Sequence, residues 1–202
     1  VARLHLHPIP TDPAMPLYTP DDLMAGLAPE GQTVALYDDD HFYMGSVLAE
    51  LLDQKGNRVH FITPAVKVAE WTDNTLEQGT IMRRLLEIGV EIHLSKAPEA
   101  VQAKEITLGC TWTGRQTRLP IDALVLVTFR TPNDSLYHQT KALDWQAAGI
   151  RSLHLIGDAA APGPIAWATY AGRAWAEGLD QPDPGDSLPF RREIAALDPG
   201  VS

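Results

Sequence analysis

Gly157 and Asp158 have the residue types and the position that an anion-binding site needs. They follow a short apolar run at 152–156, which has the composition of a buried strand, and they precede a helix-like segment at 165–179. Open α/β sheets hold anionic ligands with this arrangement, because the first turn of such a helix has unpaired N–H groups. We therefore predict a nucleotide site at Gly157 and Asp158. The alternative is that they only form the turn that ends a strand.

A second candidate region lies in a predicted βαβ unit formed by a strand at 33–37, a helix at 46–54 and a strand at 58–63. A unit of this kind is where a dinucleotide fingerprint, G-x-G-x-x-G, is expected. Aligning the last glycine of that fingerprint with Gly45 places Asp40 at the first glycine position. The fingerprint is therefore broken.

The residues that replace the glycines act against a dinucleotide. Phe42 stands at the second glycine position, where its side chain prevents close approach of the backbone to a pyrophosphate, and the carboxylates of 38–40 would repel one. The second strand ends at Thr63, with no acidic residue to hold a ribose. We predict a Rossmann-type unit that does not bind NAD(P)H.

Two sets of side chains could in principle ligate a metal. Asp38, Asp40 and His41 have suitable ligand types, and His5 and His7 would share one face of a strand. The histidine pair lacks a third ligand nearby, whereas zinc sites use three or four protein ligands. We assign neither set as a metal site.

Composition excludes several classes of protein. The 202 residues suffice for one large domain or two small ones, and the formal net charge of -10 argues against binding to nucleic acid or to an anionic membrane surface. No apolar run reaches the length of a membrane span. Cys110 is the single cysteine, which excludes an internal disulfide and a cysteine-ligated cluster within the chain. We expect a soluble, cytoplasmic protein.

The remaining pattern predicts the elements that position these residues. Thr19 and Pro20 begin a short helix, and a longer helix with Thr72 or Thr75 as its cap is expected at 76–88. Further strands are predicted at 90–94, 105–108, 111–113, 116–119 and 123–128, of which the middle three form an antiparallel meander. A helical segment is predicted at 136–148. The fold class is α/β.

This order of elements divides the chain into three parts. Residues 1–30 form an extended lead-in with a short helix, and 31–135 form a Rossmann-like domain with the meander. Residues 136–202 offer one strand and one long helix, which cannot make a layered core alone. We interpret them as the returning C-terminal part of a second domain whose first part lies upstream of Val1.

The layout, with five segments in the same order, resembles the C-terminal portion of the trimethylamine and dimethylamine dehydrogenase family. The segments are Val34-Ala-Leu-Tyr-Asp-Asp-Asp-His-Phe-Tyr-Met-Gly, Asn74-Thr-Leu-Glu, Met82-Arg-Arg-Leu, Leu124-Val-Leu-Val-Thr and Leu155-Ile-Gly-Asp-Ala. The resemblance covers essentially the whole chain. Relatives of this family include 2,4-dienoyl-CoA reductase and the old yellow enzymes.

The resemblance implies an N-terminal TIM barrel with FMN and a 4Fe-4S cluster, followed by two domains laid out like the FAD and NADPH domains of glutathione reductase. Gly157, Asp158 and Ala159 then match residues beside the diphosphate and ribityl region of an ADP or FAD-like nucleotide, although the isolated fragment can also be empty. No catalytic residue is expected in this chain, because the barrel, the cysteine cluster and the first half of the nucleotide domain are absent from it.

The resemblance therefore implies the nucleotide-binding and structural end of an FMN and 4Fe-4S amine dehydrogenase or demethylase, which passes electrons to an electron-transfer flavoprotein. Two alternatives stay open. One is an NAD(P)H-dependent flavin oxidoreductase of the 2,4-dienoyl-CoA reductase type, against which Phe42 argues. The other is a stand-alone, non-catalytic nucleotide-binding subunit.

Overall fold

Eight strands form two sheets in the computed structural model, which describes residues 9–179. The predicted histidine pair, His5 and His7, lies outside these residues. The strands are β1 (Leu17–Tyr18), β2 (Thr33–Asp38), β3 (Arg58–Ile62), β4 (Glu91–His93), β5 (Lys96–Gln102), β6 (Glu105–Cys110), β7 (Gln116–Pro120) and β8 (Ala123–Val127). Five of them form a parallel sheet in the order β1-β8-β2-β3-β4, and β5, β6 and β7 form an antiparallel sheet.

Five α-helices accompany the sheets within the described residues. They are α1 (Pro20–Met24), α2 (Met44–Gln54), α3 (Gln78–Glu87), α4 (Ser135–Lys141) and α5 (Ile165–Gly178). Short 3-10 helices occupy Glu70–Thr75 and Gly157–Ala159. Among the described helices, none combines the length and the apolar character that crossing a membrane requires.

The parallel sheet lies between two layers, which explains the continuous apolar runs of its central strands. β8 is buried at all five positions, and β2 at five of its six positions. One face packs against α2 and α3 through a cluster that includes Leu36, Leu48, Leu52, Phe61 and Leu85. The other face packs against the antiparallel sheet through Tyr37, Ile62, Ile106, Leu108 and Leu126. The structure confirms an α/β architecture with a meander.

The start of α1 shows how local sequence fixes an element. The Thr19 hydroxyl accepts the backbone N–H of Asp22 at 3.3 Å, and the Asp22 carboxylate accepts the backbone N–H of Thr19 at 2.8 Å. This reciprocal pair is a capping box, and Pro20 follows at the first helical position. The predicted helix start is confirmed.

The antiparallel sheet differs from the prediction in its strand positions. The predicted strand at 111–113 is wrong, because these residues form the turn between β6 and β7, closed by the N–H of Cys110 on the carbonyl of Arg115 at 3.0 Å. β5 was not predicted, because it contains few β-branched residues and carries a bulge between Pro98 and Ala100.

α3 begins two residues later than predicted. Its N-cap is Glu77, so neither Thr72 nor Thr75 caps it. Leu76 has a left-handed backbone with φ of +61° and separates the helix from the preceding 3-10 turn. The apolar spacing predicted the helix, but it gave no signal for this break.

The predicted strand at 152–156 is also wrong, since these residues form no regular element. A strand needs a neighbouring strand for its N–H and C=O groups, and no strand of the described chain pairs with this run. The predicted helix at 136–148 is shorter, ending as α4 at Lys141, whereas the one at 165–179 is confirmed as α5.

Candidate functional site

The structure brings Asp158 and Ala159 into a cleft with Arg130. The cleft has a volume of about 210 Å³ and is lined by Arg130, Thr131, Asn133, Asp158, Ala159 and Pro162. One wall is the segment after β8 and the other is the 3-10 turn at Gly157–Ala159. Two of the three predicted site residues, Asp158 and Ala159, therefore line a cleft that a cationic side chain also lines.

Gly157 shapes the turn that presents Asp158 to this cleft. Its φ of +61° lies in the left-handed region that favours glycine. Its carbonyl accepts the N–H groups of Ala160 and Ala161, each at 2.9 Å. A Cβ on Gly157 would lie 3.8 Å from the Cβ of Ala168 in α5, which is ordinary contact. Backbone conformation, and not space, therefore favours glycine here.

The start of α5 lies next in the chain and has no side-chain cap. Its N-cap is Pro164, and no hydrogen bond from a capping side chain reaches the first turn. A Cβ on Gly163 would lie 2.3 Å from a ring carbon of Trp167, so glycine allows the indole to pack on the backbone. The N–H of Trp167 already donates to the carbonyl of Pro164 at 2.9 Å. The N–H groups at the very start of a helix have no intrahelical acceptors, and they are the kind of donors that phosphate groups use.

Arg130 is held by an ion pair. Its Nη1 and Nη2 donate to the two carboxylate oxygens of Asp21 at 3.0 and 2.7 Å. The hydrogen bond to Asp21, together with the nearby charges of Asp40 and Asp158, raises the pKa of Arg130. The cleft thus contains a fixed cation whose charge is already partly compensated by carboxylates.

The carboxyl end of β2 carries a buried acidic side chain, Asp38. Its exposed fraction is 0%, and its Oδ1 accepts the backbone N–H groups of Asp40 and His41 at 3.2 and 3.4 Å. A Cβ on Gly45 would lie 2.7 Å from Cγ of Asp38, so the glycine that matches the fingerprint makes room for this carboxylate. Burial raises the pKa of Asp38 to about 7, against the opposing charge of His41.

The loop around Asp38 is further fixed by aromatic packing. His41 has a left-handed backbone with φ of +64°, and its carbonyl accepts the N–H of Trp71 at 3.1 Å. Phe42 stacks on Trp71 with ring centroids 5.8 Å apart. A hydrogen bond to Asp39 raises the pKa of the His41 imidazole. The acidic run is therefore an internally bonded loop, with Asp38 directed into the protein.

Sequence reasoning missed a cluster formed by His60, Glu91 and His93. Their ligand atoms lie within 4.8 Å of one another, and within residues 9–179 no other set of three histidine, cysteine or acidic side chains is grouped so closely. In particular, Asp38, Asp40 and His41 do not form such a group in the structure. Only the register of β3 on β4, which places His60 opposite Glu91, could have indicated the cluster.

The comparisons with known proteins agree with the resemblance. A dimethylamine dehydrogenase from Hyphomicrobium sp. (strain x) is 29% identical over 216 residues, covering 96% of this chain and 29% of the relative. The structure of histamine dehydrogenase from Rhizobium sp. 4-9 matches 98% of this chain and 31% of its own, with 48% identity and a TM-score of 0.87.

A 6-hydroxypseudooxynicotine amine oxidase from Pseudomonas geniculata N1 matches 86% of this chain and 26% of its own, with 37% identity and a TM-score of 0.77. The chain thus spans less than a third of the length of these relatives. The family model of the OYE-like second alpha/beta domain matches residues 18–128, more than half of the chain. The chain belongs to this OYE-like family, alongside the dehydrogenases of dimethylamine and histamine.

Proposed function

We propose that this chain is the nucleotide-binding and structural part of a longer amine dehydrogenase or N-demethylase, which carries FMN and a 4Fe-4S cluster in its other parts. The observation that carries the proposal is the match to histamine dehydrogenase over 98% of this chain at 48% identity. The intact enzyme would oxidise an amine and pass the electrons to a flavoprotein acceptor.

The cofactors that drive the reaction require residues beyond this chain. A 4Fe-4S cluster is held by four cysteine thiolates, and Cys110 is the single cysteine here. FMN, when bound by the rest of the polypeptide, would supply the two-electron oxidation of the amine. The residues of this chain would bind a nucleotide and pack against the neighbouring domains.

The surface of α5 supports a place within a longer polypeptide. Ile165, Trp167 and Tyr170 are 83%, 56% and 75% exposed, and no residue of this helix is buried. Exposed apolar patches of this kind are typical of surfaces that another domain covers. We propose that residues 136–202 complete an FAD/ADP-binding-like domain whose first half packs on α5, next to the Rossmann-like domain at 31–135.

Asp38 supports the amine-dehydrogenase branch over an NAD(P)H-fed reductase. In a dinucleotide-binding βαβ unit, the backbone after the first strand approaches the pyrophosphate. Here the Asp38 carboxylate accepts the N–H groups of Asp40 and His41 in that loop, and Phe42 packs on Trp71 beside it. An anionic pyrophosphate would have to displace an acidic side chain from its own hydrogen bonds.

The cleft at Asp158 fits an ADP or FAD-like nucleotide better than the β2 loop does. The Asp158 carboxylate can accept hydrogen bonds from ribose or ribityl hydroxyls, while Gly157 and Ala159 add no bulk beside it. Arg130 lies on the opposite wall, and the uncapped first turn of α5 follows in the chain. These groups can bind and orient a nucleotide without taking part in its redox chemistry.

Purification of the full-length polypeptide tests the whole proposal. We expect a yellow protein that contains flavin and iron, and whose flavin is bleached anaerobically by an amine, whether primary, secondary or tertiary. Bleaching by NADPH in place of an amine would support the reductase alternative and contradict the proposal. A colourless 22.1 kDa product of the complete gene would instead support a stand-alone subunit.

The nucleotide site is tested by Asp158→Ala in the full-length polypeptide. We expect the affinity for ADP or FAD to fall about tenfold or more, because the loss of a charged hydrogen-bond partner costs about 1.5–3 kcal/mol. The nucleotide that acid releases from each purified variant would be quantified by chromatography. Asp53→Ala, a substitution outside the cleft, is the control. Equal nucleotide content in the two variants would contradict the assignment.

A further inference from the structure

Three side chains of types that ligate metals meet on two adjacent strands at one edge of the parallel sheet. β3 and β4 are parallel neighbours, and His60 lies opposite Glu91 in their register. Glu91 and His93 are two residues apart, so they share the face on which His60 lies. This face is the one that packs against the antiparallel sheet, since Ile62 on β3 belongs to that core cluster. We propose that His60, Glu91 and His93 form a binding site for a divalent transition-metal ion such as Zn²⁺.

Two of the three separations between the ligand atoms match those of a tetrahedral zinc site. Ligand atoms about 2.0–2.1 Å from zinc in tetrahedral geometry lie about 3.3 Å from one another. Nδ1 of His60 lies 3.1 Å from Nε2 of His93 and 3.4 Å from Oε2 of Glu91. The remaining pair, Glu91 and His93, lies within 4.8 Å, and Glu91 can close that separation by a rotation of its partly exposed side chain.

A neighbouring arginine directs Glu91 toward the histidines. Nε and Nη2 of Arg58 both donate to Oε1 of Glu91. This leaves Oε2 as the oxygen that faces His60. Partners that hold a ligand in one orientation are a regular part of metal sites. Arg58 therefore positions Glu91, although its positive charge also weakens the attraction for a cation.

The protonation state of the two imidazoles favours ligation. Burial lowers the pKa of His60 and of His93, against the opposing charge of Glu91. Arg58 lowers the pKa of His60 further, and His60 and Lys96 lower that of His93. Neutral imidazoles are the form that binds metal ions, and both shifts favour that form. The hydrogen bond from Arg58 lowers the pKa of the Glu91 carboxyl group, which favours the ionised form that would offset part of the charge of the metal ion.

A cleft of about 360 Å³ reaches His60 and Glu91, two members of the cluster. Its lining includes His60, Glu91 and Arg58 on the parallel sheet, together with Lys104 and Asp122, which pair with each other at 3.0 Å. His60 itself is only 4% exposed. An ion can therefore enter on the side of Glu91, and the fourth coordination position would be open to water or to a small anionic ligand in the cleft.

The test is equilibrium dialysis of the full-length polypeptide against Zn²⁺ in the low micromolar range, with zinc and iron counted separately by mass spectrometry. We expect one zinc per chain. His93→Gln and Glu91→Gln should each weaken this binding about tenfold or more, because each removes one of three protein ligands. Both side chains are only partly buried, so these variants keep the packing of the core.

His138→Gln is the matched control. His138 pairs with Asp134 at 3.1 Å on exposed α4. Within residues 9–179, it does not belong to any group of three ligating side chains. It should bind zinc like the unmodified protein. The proposal is overturned if no zinc binds, or if zinc binds equally well to the His93 and Glu91 variants, in which case the three side chains form only a hydrogen-bonded cluster. This outcome is independent of flavin, iron and amine oxidation, and therefore of the proposed function.

Discussion

Replacing Gly45 with alanine is expected to lower the free energy of unfolding by about 3 kcal/mol, among the larger effects of a single methyl group. The new Cβ would lie 2.7 Å from Cγ of Asp38, a separation that the buried carboxylate cannot accept. The shift needed to relieve it would also weaken the hydrogen bonds from Asp40 and His41. Denaturant unfolding followed by circular dichroism measures the change.

Gly79→Ala is the control for this substitution. Gly79 lies in the first turn of α3, and a Cβ there would meet nothing within 4 Å. Alanine is better than glycine in a helix by about 0.5–1 kcal/mol, so this variant should be as stable as the parent or more stable. Equal destabilisation by both substitutions would show that Gly45 is not confined by Asp38.

The second large effect is a loss of stability as the pH rises from about 4 to about 7, caused by Asp38. Its pKa is raised from 3.8 to about 7 in the folded state. Between these values the folded protein keeps a proton that the unfolded chain releases, so rising pH favours unfolding. His41 acts in the same direction at higher pH, because its raised pKa gives stability that is lost as the proton leaves.

Asp38→Asn isolates this effect, because the amide oxygen can still accept the N–H groups of Asp40 and His41 but the side chain cannot ionise. Relative to the parent, the variant should gain stability progressively between pH 4 and 7 and keep a constant difference above pH 7. Thermal unfolding at several pH values measures this difference.

Asp122→Asn provides a comparison of opposite sign. Hydrogen bonds from Thr33 and Lys104 lower the pKa of Asp122, so its contribution is lost only as the pH falls below the usual range of a carboxyl group. This variant should therefore keep the parent's decline between pH 4 and 7. A flat parent profile in that window would contradict the assignment to Asp38.

Patterns within a single element predicted the parallel sheet well. The apolar runs of β2 and β8 are buried on both faces, so their composition carries the signal by itself. The capping box at Thr19 is equally local. β5 was missed because its strand state depends on pairing with β6, and the run at 152–156 was mistaken for a strand because composition does not show whether a partner is present.

The candidate sites depend even more on distant neighbours. Asp158 was identified from its position in the sequence, but its cleft partner Arg130 lies 28 residues earlier and could not be linked to it. The sequence alone shows that the fingerprint is broken at Asp40 and Phe42. It does not show that the side chain of Asp38 points into the protein. His60 and Glu91 meet only because two parallel strands adopt one register. Register is a tertiary property, which pattern reading does not supply.

The place of β8 in the sheet has a consequence for biosynthesis. β8 is the last strand in sequence within residues 9–179, yet it lies between β1 and β2, and it pairs Ala123 with Val34, 89 residues earlier. A ribosome must therefore deliver almost all of residues 18–128, which the family model matches, before the position between β1 and β2 can be filled. Until then β2 has an open edge and β1 lacks its neighbour, which makes this interval the natural point for a chaperone to protect the nascent chain.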